Sequence, residues 1–288
     1  MDYRVLGKTE IKVPILGQGA WGMGGLFSSQ IGISGDNNDA NIEKEKKDVE
    51  SLKKGIELGW TFIDTAEAYA EGRSEEIVAE AIKGQRDEVF IATKVWPNNF
   101  SHDNIIKSAN QSLKRLQIDV IDLYQLHWPS KTVPIKESMK AMENLVKDGK
   151  IKHIGISNFS AEQTKEAQES LSRNEIVSNQ VEYSLLNRNV EKEIMPYCEK
   201  NNITIIAWSP LARGKIAEPD VANRLKVFSD KYKKTSMQIA LNWLISKNNT
   251  IAIPKASRIE HLIENNGALN WKLSNEDLRL IEKEFKID

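Results

Sequence analysis

The sequence predicts an α/β protein, a single (β/α)8 TIM barrel over residues 1–288 with an N-terminal β-hairpin and a C-terminal helix. Short apolar runs alternate with stretches whose apolar residues recur at helical spacing, which predicts βαβ units on a parallel sheet. Most of the runs end in a polar or reactive side chain, and successive ends lie about one βαβ unit apart. Because a parallel barrel brings all its strand ends to one rim, these side chains are expected at one mouth.

The strands can be assigned in order along the chain. A hairpin is predicted at Tyr3–Pro14, a first strand at Ile15–Gly17 and a long functional or mobile loop at Met23–Asn41. The other strands are predicted at Thr61–Asp64, Val89–Lys94, Ile118–His127, Ile151–Ser157, Ile176–Val181, Thr204–Trp208 and Thr250–Pro254. A last helix is expected at Asn275–Phe285. No Pro-, Gly- or Ser-rich linker divides this series into two domains.

Three helix starts carry the capping-box pattern, in which a hydroxyl residue precedes Gln or Glu by three positions. They are Ser160 with Gln163, Thr235 with Gln238, and Ser257 with Glu260. The third start lies beside Lys255 and Arg258, and a helix N-terminus with adjacent cations suits a phosphate group.

Composition excludes several classes of partner. Lys and Arg number 40 and Asp and Glu 41, so no overall charge attracts nucleic acid or an anionic membrane. The N-terminal stretch lacks the apolar core of a signal peptide, and no apolar run reaches the ~18 residues of a membrane span. The single cysteine, Cys198, suits a reducing compartment and is expected to serve packing. The sequence therefore predicts a cytoplasmic protein that binds neither nucleic acid nor membrane.

Four reactive side chains follow three successive strands: Asp64, Tyr69, Lys94 and His127. A phenol with a pKa of about 10 donates protons poorly at neutral pH, and a neighbouring ammonium group is expected to lower that pKa. Asp64 can keep Lys94 charged, while His127 can donate a hydrogen bond to a carbonyl oxygen. The set suits reduction of a carbonyl group with Tyr69 as proton donor. None of the four donates hydride, so a cofactor is required.

The motifs around these residues resemble those of the aldo-keto reductase family along nearly the whole chain. The resemblance is carried by Gly59–Ala66 followed by Tyr69, Ile91–Lys94, Tyr124–Pro129, Gly155–Phe159, Asn179–Tyr183, Trp208–Leu211, and Ile253–Lys255 followed by Glu264 and Asn265. It implies a barrel enzyme that reduces small-molecule aldehydes or ketones with a nicotinamide cofactor. It also implies that Asp64, Tyr69, Lys94 and His127 are the catalytic residues and that no metal takes part.

The same resemblance implies a set of cofactor-binding residues. At the nicotinamide end, Ser157, Asn158 and Gln180 are expected to bind the carboxamide and Trp208 to stack on the ring. Ser209, Leu211 and Gly214 are expected to lie along the pyrophosphate. At the other end, Lys255, Ser257 and Arg258 are expected to surround the adenosine phosphate, and Glu264 and Asn265 to contact the adenine. Ala256 and His261 replace a hydroxyl residue and an arginine often found near the 2′-phosphate in NADP-preferring members. Lys255 and Arg258 still supply positive charge. NADP(H) is therefore favoured, and use of NAD(H) remains open.

The substrate pocket is less well defined by the sequence. By resemblance, Trp21, Trp96 and Trp128 would form its apolar walls, although aromatic residues after strands could also simply plug the barrel. The short loop at Trp128–Pro134 and the end of the chain soon after the last helix predict an open, tolerant site. Gly17, Gly19 and Gly22 match a dinucleotide fingerprint, but no helix is predicted directly after them, so they are not interpreted as one.

Two other functions remain open at this stage. Some relatives with this barrel and an intact set of catalytic residues are regulatory, channel-associated subunits that sense redox state. A channel-associated subunit would show negligible turnover and a stable complex. The second alternative is an unrelated phosphate-handling barrel enzyme in which Lys94 forms a Schiff base, which would leave Tyr69, Gln180 and Trp208 without roles.

Overall fold

The computed structural model describes residues 1–26, 29, 32, 40–255 and 257–286. Ala256 and most of the predicted loop at 23–41 therefore lie outside the described residues. Within these ranges, no helix is long and apolar enough to cross a membrane.

The chain begins with the predicted antiparallel hairpin, formed by β1 (Tyr3–Val5) and β2 (Lys12–Pro14). Just after β1, the Gly7 N–H donates a hydrogen bond of 2.8 Å to Thr204 Oγ1, at the first residue of a barrel strand. The buried side chains of Leu6 and Val13 pack with those of the barrel interior. The hairpin therefore covers the amino-terminal end of the barrel.

Eight parallel strands pair in the order of the sequence. They are β3 Gln18–Gly19, β4 Phe62–Asp64, β5 Phe90–Val95, β6 Ile121–Leu126, β7 Ile151–Ser157, β8 Ile176–Glu182, β9 Thr204–Trp208 and β10 Thr250–Ala252. Several contacts close the ring, among them the hydrogen bond that the Gly17 N–H donates to Ala252 O at 2.8 Å and the parallel bridge that joins Gly19 to Lys255. The predicted (β/α)8 barrel is confirmed.

Helices follow the barrel strands and cover them. Their bounds are α1 Ala40–Glu57, α2 Arg73–Ala81, α3 His102–Leu116, α4 Ile135–Lys147, α5 Ala161–Glu169, α6 Ile194–Lys200, α7 Pro219–Arg224, α8 Lys226–Tyr232, α9 Ser236–Ile245, α10 Ile259–Asn266 and α11 Asn275–Glu284. The predicted C-terminal helix is α11. Arg188 ties its end to the barrel, because Nη1 donates to the backbone oxygens of Glu282 and Phe285 at 3.0 and 2.9 Å.

Three predicted strand ends were wrong by a few residues. The ladder to β4 is formed by β3 and not by Ile15–Gly17, although Ile15–Gly17 pairs with β10: the Ala252 N–H donates to Ile15 O at 2.9 Å and a parallel bridge joins Leu16 to Ala252. The last strand ends at Ala252 and not at Pro254, since proline has no N–H for the ladder. The fourth barrel strand, β6, begins at Ile121 and not at Ile118.

Two of the three predicted capping boxes are confirmed. At α5, Ser160 Oγ accepts from the Gln163 N–H at 3.1 Å and the Gln163 side chain accepts from the Ser160 N–H at 3.0 Å. The box at Thr235 opens α9 in the same way. The box at Ser257 is wrong, because α10 starts at Ile259 with Arg258 as its N-cap and without a side-chain cap. Ser257 lies one position too early to cap the first turn.

Candidate active site

The centre of the site is the ammonium group of Lys94, whose side chain has no exposed surface. It donates hydrogen bonds to Asp64 Oδ2 at 2.6 Å, to Thr65 O at 2.8 Å and to the Tyr69 hydroxyl at 3.2 Å. A buried ammonium is tolerated only when its three donors find acceptors, and here each of them does. The structure therefore joins acid, phenol and ammonium in one buried cluster.

The pairing of β4 with β5 explains this convergence. Asp64 is the last residue of β4 and lies opposite Ala92 of β5, so its carboxylate reaches the Lys94 side chain one pleat further on. The loop after β4 then follows β5, because the Glu67 N–H donates to Lys94 O at 3.2 Å. Tyr69 lies at the end of this loop, which places its hydroxyl group within hydrogen-bonding distance of Lys94.

His127 completes the group of four on the next strand. Just beyond the end of β6, the backbone N–H of His127 donates a hydrogen bond to Val95 O at 3.1 Å. The imidazole lies 5.6 Å from the Tyr69 ring, edge to face, and 5.1 Å from the Trp96 indole at an interplanar angle of 88°. One ring nitrogen, Nδ1, is buried and has no hydrogen-bond partner among the described residues.

Burial sets the protonation states of these groups. Burial raises the pKa of the Tyr69 phenol, and Lys94 offsets this only in part. Lys94 lowers the Tyr69 pKa as expected, but loss of solvent outweighs that charge, so the net direction is upward and not downward. Burial alone would lower the pKa of Lys94, but Asp64 and Tyr69 raise it overall. Burial, followed by the charge of Lys94, lowers the pKa of His127 well below 6.5. At neutral pH, phenol and imidazole are both uncharged and Lys94 is charged.

Two amide side chains hold the second oxygen of Asp64. Gln180 Nε2 donates to Asp64 Oδ1 at 2.7 Å, and Gln125 Nε2 approaches the same oxygen at 3.3 Å. From the sequence, Gln180 was expected to contact only the cofactor, and Gln125 was not predicted as a site residue because it lies inside an apolar run. Strand alternation could have found it, because Gln125 is two residues before His127 and must face the same side.

The residues expected at the nicotinamide form a hydrogen-bonded chain at the ends of β7, β8 and β9. Ser157 Oγ donates to Gln180 O at 2.9 Å and accepts from Asn158 Nδ2 at 3.0 Å. The Trp208 Nε1–H donates to Asn158 Oδ1 at 3.0 Å. Asn158 Nδ2 also bonds to His127 O at 3.0 Å, so this chain adjoins the catalytic cluster. The structure brings these four expected residues together.

A family model described as the aldo/keto reductase family matches residues 28–284. The chain belongs to the aldo/keto reductase family. Methylglyoxal reductase YeaE of Escherichia coli (strain K12) is 35% identical over 278 residues, which cover 96% of this chain and 92% of that protein. Glyoxal reductase of Bacillus subtilis (strain 168) is 35% identical over 244 residues, 84% of this chain and 84% of that protein.

Solved structures of other aldo-keto reductases share the whole barrel. A thermostable aldo-keto reductase in complex with the inhibitor epalrestat matches with a TM-score of 0.90 at 39% identity, over 99% of this chain and 100% of that chain. An aldo-keto reductase from Klebsiella pneumoniae in complex with NADPH matches with a TM-score of 0.86 at 33% identity, over 99% and 96% of the two chains. The alternative of an unrelated barrel enzyme with a Schiff-base lysine is therefore wrong.

The residues that the aldo-keto reductase motifs assign to the pyrophosphate lie in the turn after β9. Ser209 and Gly214 adopt left-handed backbone conformations, with φ of 49° and 91°, and Leu211 between them is 8% exposed. Such turns point successive backbone N–H groups to one side, which suits an anion. Arg213, also left-handed, is exposed in the same turn.

The residues expected at the adenosine end lie in the segment between β10 and α10 and on α10 itself. Lys255 Nζ lies 5.5 Å from the centre of the Trp21 ring, and Arg258 is exposed. The Ser257 hydroxyl is buried without a partner among the described residues, so it retains a free donor and acceptor. On α10, Asn265 is 2% exposed and Glu264 is half-buried. None of these five forms a hydrogen bond with the catalytic cluster within the part of the chain that is described.

Of the three tryptophans expected in the substrate pocket, Trp96 is the one with a described ring contact to the catalytic cluster, through His127. Its backbone N–H donates to Glu67 Oε1 at 2.8 Å, which fixes its position. Trp21 and Trp128 are 41% and 42% exposed. Their surfaces are available beside the mouth, and their role as pocket walls stays a prediction.

Other residues weighed in the sequence take no part in this cluster. Burial raises the pKa of the Cys198 thiol to about 12, so this cysteine is an inert packing residue. The Tyr183 hydroxyl donates to Glu191 at 2.6 Å in the helical layer. Gly22 and Gly24 lie in turns, so among the described residues the glycine-rich stretch does not open directly into a helix.

Proposed function

We propose that this protein reduces aldehydes and ketones to alcohols with NADPH, and that Tyr69 donates the proton to the carbonyl oxygen. The observation that carries this proposal is the buried Lys94 ammonium, bonded at 2.6 Å to Asp64 and at 3.2 Å to the Tyr69 hydroxyl. The relatives named methylglyoxal reductase and glyoxal reductase support small dicarbonyl compounds as substrates. The reacting partner would be a small molecule, and the single, buried cysteine supports a cytoplasmic location.

The residues at the mouth fit a nicotinamide cofactor. Ser157 and Asn158 offer the hydroxyl and amide groups that a carboxamide needs, and Asn158 Oδ1 keeps a second lone pair after its bond to Trp208. The Ser257 hydroxyl, which has no partner among the described residues, offers one more polar group near the adenosine end. A bound nicotinamide cofactor would supply the hydride that none of these side chains can provide.

Tyr69 acts as the acid in this proposal. Because burial raises its pKa, the phenol carries its proton at neutral pH and can give it to the carbonyl oxygen. The phenolate that remains is stabilised by the Lys94 ammonium, which stays charged beside Asp64. Lys94 therefore assists the proton transfer by stabilising its product, and its charge only partly offsets the rise in the Tyr69 pKa that burial causes.

His127 orients the carbonyl group in this proposal. Its lowered pKa keeps the imidazole neutral, so one ring nitrogen can donate a hydrogen bond to the carbonyl oxygen without adding a full charge. The edge of the ring is held between Tyr69 and Trp96. This arrangement would bring the carbonyl oxygen toward the Tyr69 hydroxyl.

Lys255 and Arg258 support a preference for NADPH over NADH. We expect these two cations to contact the 2′-phosphate and to make NADPH bind roughly tenfold more tightly, equivalent to about 1.4 kcal/mol. Lys255→Ala should weaken NADPH binding and leave NADH binding nearly unchanged, while His261→Arg should widen the difference by adding a donor. Quenching of tryptophan fluorescence measures both dissociation constants. Equal affinities that neither substitution alters would contradict this preference.

A carbonyl panel tests the proposed reaction. Methylglyoxal, glyoxal, an aromatic aldehyde and a simple ketone are each assayed with NADPH and with NADH, following the loss of reduced nicotinamide absorbance. We expect turnover of at least the aldehydes, faster with NADPH. Negligible turnover on the whole panel, together with retained cofactor binding and a stable complex with another protein, would instead favour the channel-associated alternative.

A further inference from the structure

Two lysine side chains converge on Gly22, in the turn after β3. Lys44 Nζ, from α1, donates a hydrogen bond of 2.9 Å to Gly22 O. A Cβ built on Gly22 would lie 2.7 Å from Lys255 Nζ, so the ammonium group that follows β10 packs against the same residue. α1 and β10 thus bring two positive charges to one small region of the mouth.

A buried carboxylate anchors the first of these lysines. Asp48, one turn further along α1, has no exposed surface, and its Oδ2 accepts from Lys44 Nζ at 2.9 Å. Its Oδ1 is also buried and has no hydrogen-bond partner among the described residues. Asp48 therefore fixes Lys44, while the two ammonium groups and one carboxylate leave one positive charge in excess.

Among the described residues, the anchored ammonium group has one donor that is not used and that a ligand can accept from. An ammonium group has three N–H donors, and the described bonds to Gly22 O and Asp48 use two of them. The pKa of Lys255 is lowered, first by burial and then by the positive charge of Lys44, while the Asp48 carboxylate raises it. The effect of Lys44 shows that the two ammonium groups repel each other. An anion beside both groups would relieve this repulsion and accept the remaining hydrogen bond.

We propose that Lys44 is a second cation of the cofactor's 2′-phosphate site and acts with Lys255 in selecting NADPH over NADH. The inference rests on the proposed function, in which Lys255 contacts that phosphate. Family motifs gave no reason to choose Lys44, which lies among several charged residues of α1. Its geometry distinguishes it from them, because Lys44 alone of the described α1 lysines bonds to the turn after β3.

The test compares Lys44→Gln with Lys47→Gln, which removes the same charge from an exposed position on the same helix. Dissociation constants of NADPH and NADH are measured by titration calorimetry for both variants and for the parent. We expect Lys44→Gln to weaken NADPH roughly threefold to fivefold, the size of one partly exposed ionic contact, and NADH less than twofold. Lys47→Gln should leave both affinities within twofold.

Three further measurements sharpen this test. Lys44→Arg keeps the charge and the partner of Asp48, so it should retain the NADPH preference. In the double variant Lys44→Gln with Lys255→Ala, the NADPH dissociation constant should rise by less than the product of the two single fold-changes, because both cations act on one phosphate. The Lys44→Gln substitution should weaken binding of adenosine 2′,5′-bisphosphate by the same factor as binding of NADPH. Binding of adenosine 5′-monophosphate, which has no 2′-phosphate, should not change.

The outcomes separate this inference from the proposed function. A Lys44→Gln variant whose thermal unfolding is unimpaired and whose NADPH-to-NADH ratio equals that of the parent would overturn the role of Lys44, while carbonyl turnover would leave the reductase proposal intact. Equal weakening of NADPH and NADH would also overturn it, since the contact would then not involve the 2′-phosphate. A parent protein that binds neither cofactor would overturn the proposed function as well.

Discussion

The side-chain amide of Gln180 donates a hydrogen bond of 2.7 Å to Asp64 Oδ1, across the mouth from β8 to β4. The other oxygen of the same carboxylate accepts from Lys94 at 2.6 Å. Gln180 O in turn accepts from Ser157 Oγ at 2.9 Å. A residue expected at the cofactor is therefore bonded directly to the catalytic cluster, so the two parts of the site depend on each other.

Gln180→Glu should give a pH-dependent loss of stability. The new carboxyl group would face Asp64, and repulsion would raise its folded-state pKa above the unfolded value of about 4.3. Between the unfolded-state and the folded-state pKa of this carboxyl group, the folded variant binds more protons than the unfolded chain. Its stability therefore falls as pH rises through this range. Thermal unfolding should therefore show a larger deficit at pH 8 than at pH 5. Gln180→Met is the uncharged control, and a deficit equal to that control's at both pH values would contradict the direct contact with Asp64.

Lys94→Met should both inactivate and destabilise the protein. Removal of the ammonium group leaves the Asp64 carboxylate buried without its ionic partner, a loss of roughly 3–5 kcal/mol in the free energy of unfolding. Adding Asp64→Asn removes the buried charge and should recover much of the stability, but not the activity. Urea unfolding and aldehyde turnover measure the two effects. Recovery of turnover in the double variant would show that Lys94 serves folding alone.

Gly72→Ala should disturb the turn that carries Tyr69 into α2. Gly72 has φ of +91°, and an added Cβ would lie 2.5 Å from Arg115 Cδ, which is bonded through Nε to the buried Glu75 at 2.6 Å. Gly84→Ala is the matched control, because its φ is +81° and no described atom lies within 4 Å of the new Cβ. Both variants should lose roughly 1 kcal/mol to the backbone.

Only Gly72→Ala should lose further stability and turnover, through displacement of Arg115. Urea unfolding and steady-state kinetics compare the two variants under identical conditions. Equal unfolding free energies and equal turnover would mean that the contact with Arg115 does not hold this turn.

The positions of the catalytic residues were predictable because strand ends are local features. Asp64, Lys94 and His127 each stand at the end of an apolar run, and parallel pairing fixes where such ends meet. The Tyr69 pKa was not predictable in the same way. Its direction depends on how much solvent the finished barrel excludes, which local sequence does not encode.

Other features escaped prediction because they depend on tertiary contacts. The position of Lys255 against Gly22 follows from barrel closure, which pairs residues from opposite ends of the chain. The start of α10 differs from the capping pattern at Ser257 by one position, a shift that local propensity resolves poorly. Gln125 was hidden inside an apolar run, where only its inward direction reveals its role.

The pH dependence of kcat/KM should show no transition near the ordinary pKa of a histidine, because His127 does not gain a proton there. Burial keeps the imidazole neutral, and burial also raises the pKa of Tyr69 above that of a free phenol. With an aldehyde that does not ionise, the rate constant should be level from about pH 6.5 to about pH 9 and fall only as Tyr69 loses its proton. A step near pH 6.5 that disappears in His127→Asn would contradict the neutral imidazole.

Tyr69→Phe tests the central claim most directly, because it removes one hydroxyl group and keeps the ring. Tyr3→Phe, at an exposed position on β1, is the matched control. Turnover of methylglyoxal at saturating NADPH should fall by a factor on the order of 100 or more in Tyr69→Phe, the scale of lost general-acid catalysis, with the NADPH dissociation constant unchanged. Tyr3→Phe should match the parent in both. Turnover of Tyr69→Phe within a fewfold of the parent would show that another group delivers the proton.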